Sequence, residues 1–265
     1  MSYLYETHLH TIQASSCALS SGRDYIRRYK ALGYAGIMVT DHFYRGNSSI
    51  DPNLPWKEWV GRFCRGYEDA RDEGARQGLD VFFGWEETFD GDDYLVYGLD
   101  KAWLLDHPEA ALWTRLGQFK AAERYGGCVV QAHPFRQHYY IKKINLSAGC
   151  VHGVEAGNAE NMYRSYDALA LRYAEKLGVS VTAGSDIHYA GDADGAFGVY
   201  MDKKMAGIQD YVAAVRSRAL SFETARMPEG RCDWTGEETA ALPVVFRDQH
   251  DRPTKQRLRD FLGLE

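Results

Sequence analysis

Tyr3-Leu4-Tyr5-Glu6-Thr7-His8-Leu9-His10-Thr11 is an apolar, β-prone run that ends on two histidines one residue apart. Side chains alternate faces along a strand, so His8 and His10 point the same way while Leu9 points the other. Two imidazoles on one face can grip a single metal ion. Four further apolar runs end in the same manner, on His42, on Glu86, on His133, and on the pair Asp186 and His188.

Between these ends the spacing is helical. Tyr25, Ile26, Tyr29 and Leu32 recur on one stripe after Ser20-Ser21-Gly22, and Trp59, Phe63, Tyr67 and Ala70 mark one long surface helix over residues 56–77. Further helices are expected from residue 106 or 108 to 125, over 166–177 and over 207–218. Short strands at 36–40, 79–84, 94–97, 128–132, 151–156 and 179–183 alternate with them, with Gly91-Asp92-Asp93 as the turn before Tyr94. Counting from the amino terminus this makes about seven strands, with one more expected at 220–225. Such alternation is the mark of parallel β/α units rather than of a sandwich or a bundle. Composition changes after Met227, so residues 1–226 are expected to form the barrel and 227–265 a C-terminal extension, with an apolar patch at 240–246 and a short closing helix at 257–264.

At 265 residues the chain suits a single α/β barrel, and with 45% hydrophobic and 26% charged residues its composition is that of a soluble globular protein. No run of eighteen apolar residues could span a bilayer, and no secretory signal precedes the first strand, so a cytoplasmic protein without membrane partners is expected. The five cysteines, Cys17, Cys64, Cys128, Cys150 and Cys232, are scattered and never form a Cys-x-x-Cys pair, which argues against a disulfide framework. A net charge of −6 disfavours adhesion to nucleic acid while leaving room for a small anionic substrate beside metal ions.

Five of the nine histidines, His8, His10, His42, His133 and His188, fall at the carboxyl end of an expected strand, the end at which barrel loops converge on a catalytic face. Packing does not explain five imidazoles and two carboxylates, Glu86 and Asp186, on one rim, because their desolvation would go uncompensated. A metal cluster supplies that compensation, and this mixture of imidazole and carboxylate suits zinc, iron or manganese better than calcium. Glu87 should point away from Glu86 along an extended backbone, and Asp41 reads as an orienting partner of His42.

In order along the chain, Thr7-His8-Leu9-His10-Thr11, Thr40-Asp41-His42, Gly84-Trp85-Glu86, Ala132-His133-Pro134 and Gly184-Ser185-Asp186-Ile187-His188 resemble the metal-binding motifs of the PHP (polymerase and histidinol phosphatase) domain family, most of all its histidinol-phosphatase-like branch. The resemblance spans residues 1 to about 225. It implies a distorted seven-stranded (β/α) barrel holding two or three divalent transition-metal ions and hydrolysing phosphoesters. Carried over by motif, it implies that His8, His10, Glu86 and Asp186 bind one ion, Glu86 and His133 a second, and His42 and His188 a third, with Glu86 bridging. Two departures stand out. Ser15, Ser16 and Cys17 occupy positions where many members carry a carboxylate or histidine. The interval between Glu86 and His133 holds only His107, which reads as a helix-start residue in Asp106-His107-Pro108.

The expected chemistry is in-line attack on a small phosphomonoester by a metal-bridging hydroxide, with His8, His10, His42, Glu86, His133, Asp186 and His188 as the catalytic metal set. Arg136, three residues after His133, is the first candidate for a bidentate phosphate clamp, with His138 and Arg164 behind it. Two alternatives are a nucleotide phosphatase or exonuclease acting on nucleic-acid ends and, from another class, a non-catalytic metal-binding regulatory domain.

Overall fold

The structure is a computed structural model that describes residues 2–221 and 243–263. Residues 222–225 of the strand expected at 220–225, Cys232 and residues 240–242 of the apolar patch lie outside the described residues. The elements in chain order are β1 (Tyr3–Glu6), α1 (Gly22–Ala31), β2 (Gly36–Val39), α2 (Trp56–Phe63), α3 (Arg65–Gln77), β3 (Asp80–Phe89), β4 (Asp92–Tyr97), α4 (Lys101–Asp106), α5 (Arg115–Tyr125), β5 (Cys128–Gln131), β6 (Ile144–Ser147), β7 (Gly153–Asn158), α6 (Arg164–Leu177), β8 (Ser180–Gly184), β9 (Val199–Met201), α7 (Ile208–Ser217), β10 (Val244–Arg247) and α8 (Leu258–Leu262). Among the described residues no helix is long and apolar enough to cross a membrane.

Eight strands form one sheet in the order β8-β7-β5-β4-β3-β2-β1-β9. Seven of them are the strands expected from the sequence, and the eighth, β9, is a short strand the pattern does not announce. β1, β2 and β3 pair in parallel, as do β5, β7 and β8, while β4 runs backwards between β3 and β5. β9 lies antiparallel along β1. Beyond it, Leu9 bridges Ile187 in parallel, with the His10 amide donating to the Ile187 carbonyl at 2.9 Å, so the sheet nearly closes on itself just where the histidines begin.

Two of the expected helices divide differently. The stretch 56–77 breaks at Cys64 into α2 and α3. A separate α4 ends at Asp106, and the stretch after it becomes a 3-10 turn at Pro108–Leu112 and α5, because the Thr114 hydroxyl caps a fresh start by accepting the Gly117 amide at 3.1 Å. On α2, Trp56, Trp59 and Phe63 stand on one face and, with Phe43 and Trp85, form an aromatic slab in which Phe43 stacks on Trp85 at 5.2 Å. That slab fixes the residues immediately following His42 and preceding Glu86. Gly66 of α3 makes a close approach on the other side: a Cβ there would lie 1.9 Å from the Thr11 hydroxyl oxygen, so a side chain is excluded.

The described part of the C-terminal segment packs against the barrel flank. β10 pairs in parallel with β6, Phe246 is buried, and Phe261 of α8 meets Phe246 at 4.8 Å.

Candidate metal centre

Because β1, β2, β3, β5, β7 and β8 all run towards one end, the residues that follow or finish them arrive at the same mouth. His8 Nε2 and His10 Nε2 stand 3.1 Å apart. Glu86 Oε1 lies 3.2 Å from His8 Nε2 and 3.4 Å from His133 Nε2, and Glu86 Oε2 lies 2.9 Å from His42 Nδ1. Asp186 Oδ1 is 3.0 Å from His10 Nε2. All seven residues expected at the site are thus brought together, His8, His10, Glu86 and Asp186 almost fully buried and His42 and His188 nearer the surface.

Donor atoms converge in four overlapping groups: His8, His10 and Glu86; His8, His133 and Asp186; Glu86, Asp93 and His133; and His10, His42 and His188. Asp93 is the member that strand-end reasoning misses. The hairpin turns at Asp90 and Gly91, so Asp93 is not a turn residue but the second residue of β4, opposite Thr88, whose hydroxyl donates to Asp93 Oδ1 at 2.6 Å. Since β4 runs backwards, its beginning and not its end faces the mouth.

The surrounding residues fix which imidazole nitrogen faces inward. The Ser15 hydroxyl donates its one proton to Asp41 Oδ1 at 2.7 Å and accepts the His42 amide at 3.0 Å. Its contact with His10 Nδ1 at 3.2 Å must therefore be donated by the imidazole, which leaves the His10 Nε2 lone pair for the centre. His8 Nδ1 faces Glu155 Oε1 at 3.0 Å, and His188 Nδ1 faces the Asp186 carbonyl at 2.7 Å, with the same consequence for each. Glu155, on β7, also accepts the His133 amide through Oε2 at 3.1 Å. The one sequence signal for it is a glutamate inside a mainly apolar strand run. Asp41 takes the orienting place expected of it, acting through Ser15 and Thr11 rather than on His42 itself. Glu87 turns away and accepts the Arg45 and Thr88 amides. His107 stacks on Trp103, outside the donor groups.

His133 and Asp186 both have positive φ, +26° and +56°. Such backbone costs about 1–3 kcal/mol per residue and persists where the surroundings hold it, here at two residues aimed into the mouth.

Burial alone would lower His8 and raise Glu86 and Asp186, yet their mutual charges win. The carboxylates of Asp186, Glu155 and Glu86 hold His8 well above the usual histidine value, and His8 with its neighbours holds Glu86 and Asp186 well below the usual carboxylate range. Burial, reinforced by His42 and His188, pushes His10 well below. Cys17 is half-buried beside the outer histidines; burial would raise its thiol, but hydrogen bonds with His188 and His42 bring it down to about 6.

The donor set fits divalent transition metals. Glu86 Oε1 and His42 Nδ1 are buried without any hydrogen-bond partner of correct geometry, although other donor-set atoms stand within 3.5 Å of them. Groups packed this closely must share either protons or a cation, and a divalent ion can take the place of the protons. His8, His10, Glu86 and Asp186 would hold one ion, Glu86, Asp93 and His133 another, and His42 and His188 would serve a third.

Arg136 reaches the mouth and is partly engaged by the centre itself. It is neither a solvated loop residue nor a free phosphate fork: Nη1 pairs with Asp186 Oδ2, Nη2 donates to Asn158 Oδ1 at 2.6 Å and Nε donates to Asn161 Oδ1 at 3.0 Å. Three of the five guanidinium N–H donors are engaged in this way, one of them holding Asp186, while the side chain also lines the cavity above the donors. Arg136→Lys is therefore expected to weaken metal binding by ~10–100-fold, with turnover recovering as metal is added in excess. A raised KM for substrate at saturating metal would instead return Arg136 to the phosphate.

Above the donors lies a cavity of about 540 Å³ whose walls include Cys17, Arg45, Asn47, Tyr139 and Tyr140. His138 packs at a tilt against both of these exposed tyrosines, with ring centroids 4.6 and 4.4 Å apart.

No family model matches the sequence, and no curated protein matches it. Solved structures do. A two-domain protein from Bacteroides vulgatus containing a predicted PHP-like metal-dependent phosphoesterase superposes with a TM-score of 0.63 over 84% of this chain at 16% identity, and the chain spans 65% of that protein's length. A proposed metal-dependent phosphoesterase from Bifidobacterium adolescentis matches with a TM-score of 0.52 at 15% identity, covering 81% of this chain and 96% of the other. An amidohydrolase from Chromobacterium violaceum, with sulfate bound and no metal, matches with a TM-score of 0.50 at 14% identity, covering 83% and 99%. At these identities the likeness is one of fold.

Proposed function

We propose that this chain is a metal-dependent hydrolase of small phosphomonoesters, of the PHP type. The observation that carries the proposal is the convergence of five imidazoles with Glu86, Asp93 and Asp186 in one buried cluster beneath a cavity. The fold likeness to proteins described as metal-dependent phosphoesterases supports the same reading.

When bound, divalent ions would supply Lewis acidity at the phosphoryl oxygens and lower the pKa of an attacking water to about 7. The chain's own residues do the rest. Ser15, Glu155 and the Asp186 carbonyl keep three imidazoles in one tautomer, and Arg136 keeps Asp186 in place. Arg45 contributes positive charge to the cavity wall, and Tyr139 and Tyr140 border the space for the organic part of the substrate. A cavity of this size suits a small molecule, and the net charge of −6 weighs against a nucleic-acid polymer. Within this reading, a histidinol-phosphate-like ester is the first specific substrate to try.

The test is turnover of an aryl phosphate before and after chelation. Turnover should vanish with metal removal and return with zinc, iron or manganese, histidinol phosphate should be cut faster than the aryl ester, and short oligonucleotides should be poor substrates. Equal rates with and without chelator would end the proposal, and preference for oligonucleotide ends would favour the nuclease alternative.

A further inference from the structure

Cys17 stands in the loop after β1, where sequence pattern offered no ligand. The loop is tied down on both sides of it. The Ser16 amide donates to the Asn47 carbonyl at 2.8 Å, the Leu19 amide to the His188 carbonyl at 2.8 Å, and the Ile12 amide to the Ser20 carbonyl at 2.9 Å. The first tie reaches the loop that follows His42 and the second reaches His188 itself, so the backbone that carries Cys17 is fastened to both outer histidines. Its side chain lines the same cavity as His42 and His188 and makes contact with both imidazoles. The other cysteines among the described residues, Cys64, Cys128 and Cys150, are buried away from this cavity.

We propose that Cys17 Sγ is a metal ligand, completing with His42 and His188 an outer site of mixed thiolate and imidazole character beside the buried carboxylate-rich centre. The inference rests on the metal-dependent reading above and adds to it a difference between sites. Thiolate is a soft ligand that selects zinc or cobalt(II) over manganese or magnesium, whereas the inner donors, being imidazole and carboxylate, discriminate less. Binding replaces the thiol proton with the ion and releases that proton to solvent. The outer ion is then of a fixed type while the inner ions follow availability.

The experiment uses the full chain, stripped with chelator and refilled. Addition of cobalt(II) should produce a thiolate-to-cobalt charge-transfer absorption, and zinc should slow alkylation of Cys17 by iodoacetamide, read peptide by peptide, by at least about tenfold. Manganese at the same stoichiometry should give little protection. Cys17→Ser should lose the charge-transfer absorption and one equivalent of tightly held zinc, while Cys17→His should keep the zinc and lose the absorption. The wild-type measurements stand without either variant. If cobalt binds without charge transfer and Cys17 is alkylated equally fast with and without zinc, the thiolate ligand is refuted while the metal-dependent function survives. If no metal is retained at all, both fall.

Discussion

Glu86→Gln is expected to reduce phosphomonoester turnover by ~10³-fold, the equivalent of about 4 kcal/mol of transition-state stabilisation, and to lower the metal content of the purified protein. Glu86 belongs to two of the donor groups, one with His8 and His10 and one with Asp93 and His133. Its ionised form is the one the fold selects: burial works against the charge, but His8 and His42 outweigh it. Glutamine preserves the shape, removes the negative charge and turns one oxygen into a donor aimed at imidazole nitrogens. Steady-state kinetics with elemental analysis of the same sample decide the matter, and turnover within tenfold of wild type would remove Glu86 from the centre. Glu87→Gln is the matched control. Its carboxylate accepts the Arg45 and Thr88 amides and takes no part in the donor groups, so its metal content should stay at the wild-type level.

Arg115→Ala is expected to destabilise the fold by about 3–5 kcal/mol, because it strands a buried carboxylate. Arg115 and Asp92 are almost fully buried and paired through two bonds, Nε to Oδ2 at 2.7 Å and Nη2 to Oδ1 at 2.6 Å. Nη2 also donates to the Phe89 carbonyl at 2.6 Å, and Nη1 reaches Asp251 Oδ2 at 3.4 Å. Asn145 of β6 donates to Asp92 Oδ1 at 2.9 Å. The pair therefore joins the β3–β4 hairpin, α5, β6 and the segment after β10. Burial raises the pKa of Asp92 even with Arg115 beside it, which shows how far the guanidinium is needed. Urea unfolding should give a lower midpoint at unchanged slope. The double variant Arg115→Met with Asp92→Leu should recover part of the loss, since it removes the stranded charge but leaves the Phe89 carbonyl and the Asn145 amide without these partners. A single-variant loss below about 1 kcal/mol would contradict this account.

What could be read from the sequence follows from strand direction. His8, His10, His42, Glu86, His133, Asp186 and His188 stand at the ends of apolar runs, and parallel strands carry such ends to one place. Asp93 escaped because its strand runs the other way, which period-two patterning cannot reveal. Glu155 escaped because the residues it serves, His8 and His133, are far from it in sequence. Arg136 was placed beside the centre by its distance from His133, but its partners Asn158, Asn161 and Asp186 belong to later segments, and these give it a second task, the support of Asp186, that its sequence position does not announce.

The sequence by itself determined the alternation of helix and strand and the seven polar residues that converge, since each depends on local periodicity and on side-chain chemistry. Only the tertiary structure decided how the carboxylates are shared, which nitrogen of each imidazole faces inward, and that Cys17 sits against His42 and His188. Those outcomes depend on distances between segments far apart in the chain, and a one-dimensional pattern carries no such distances.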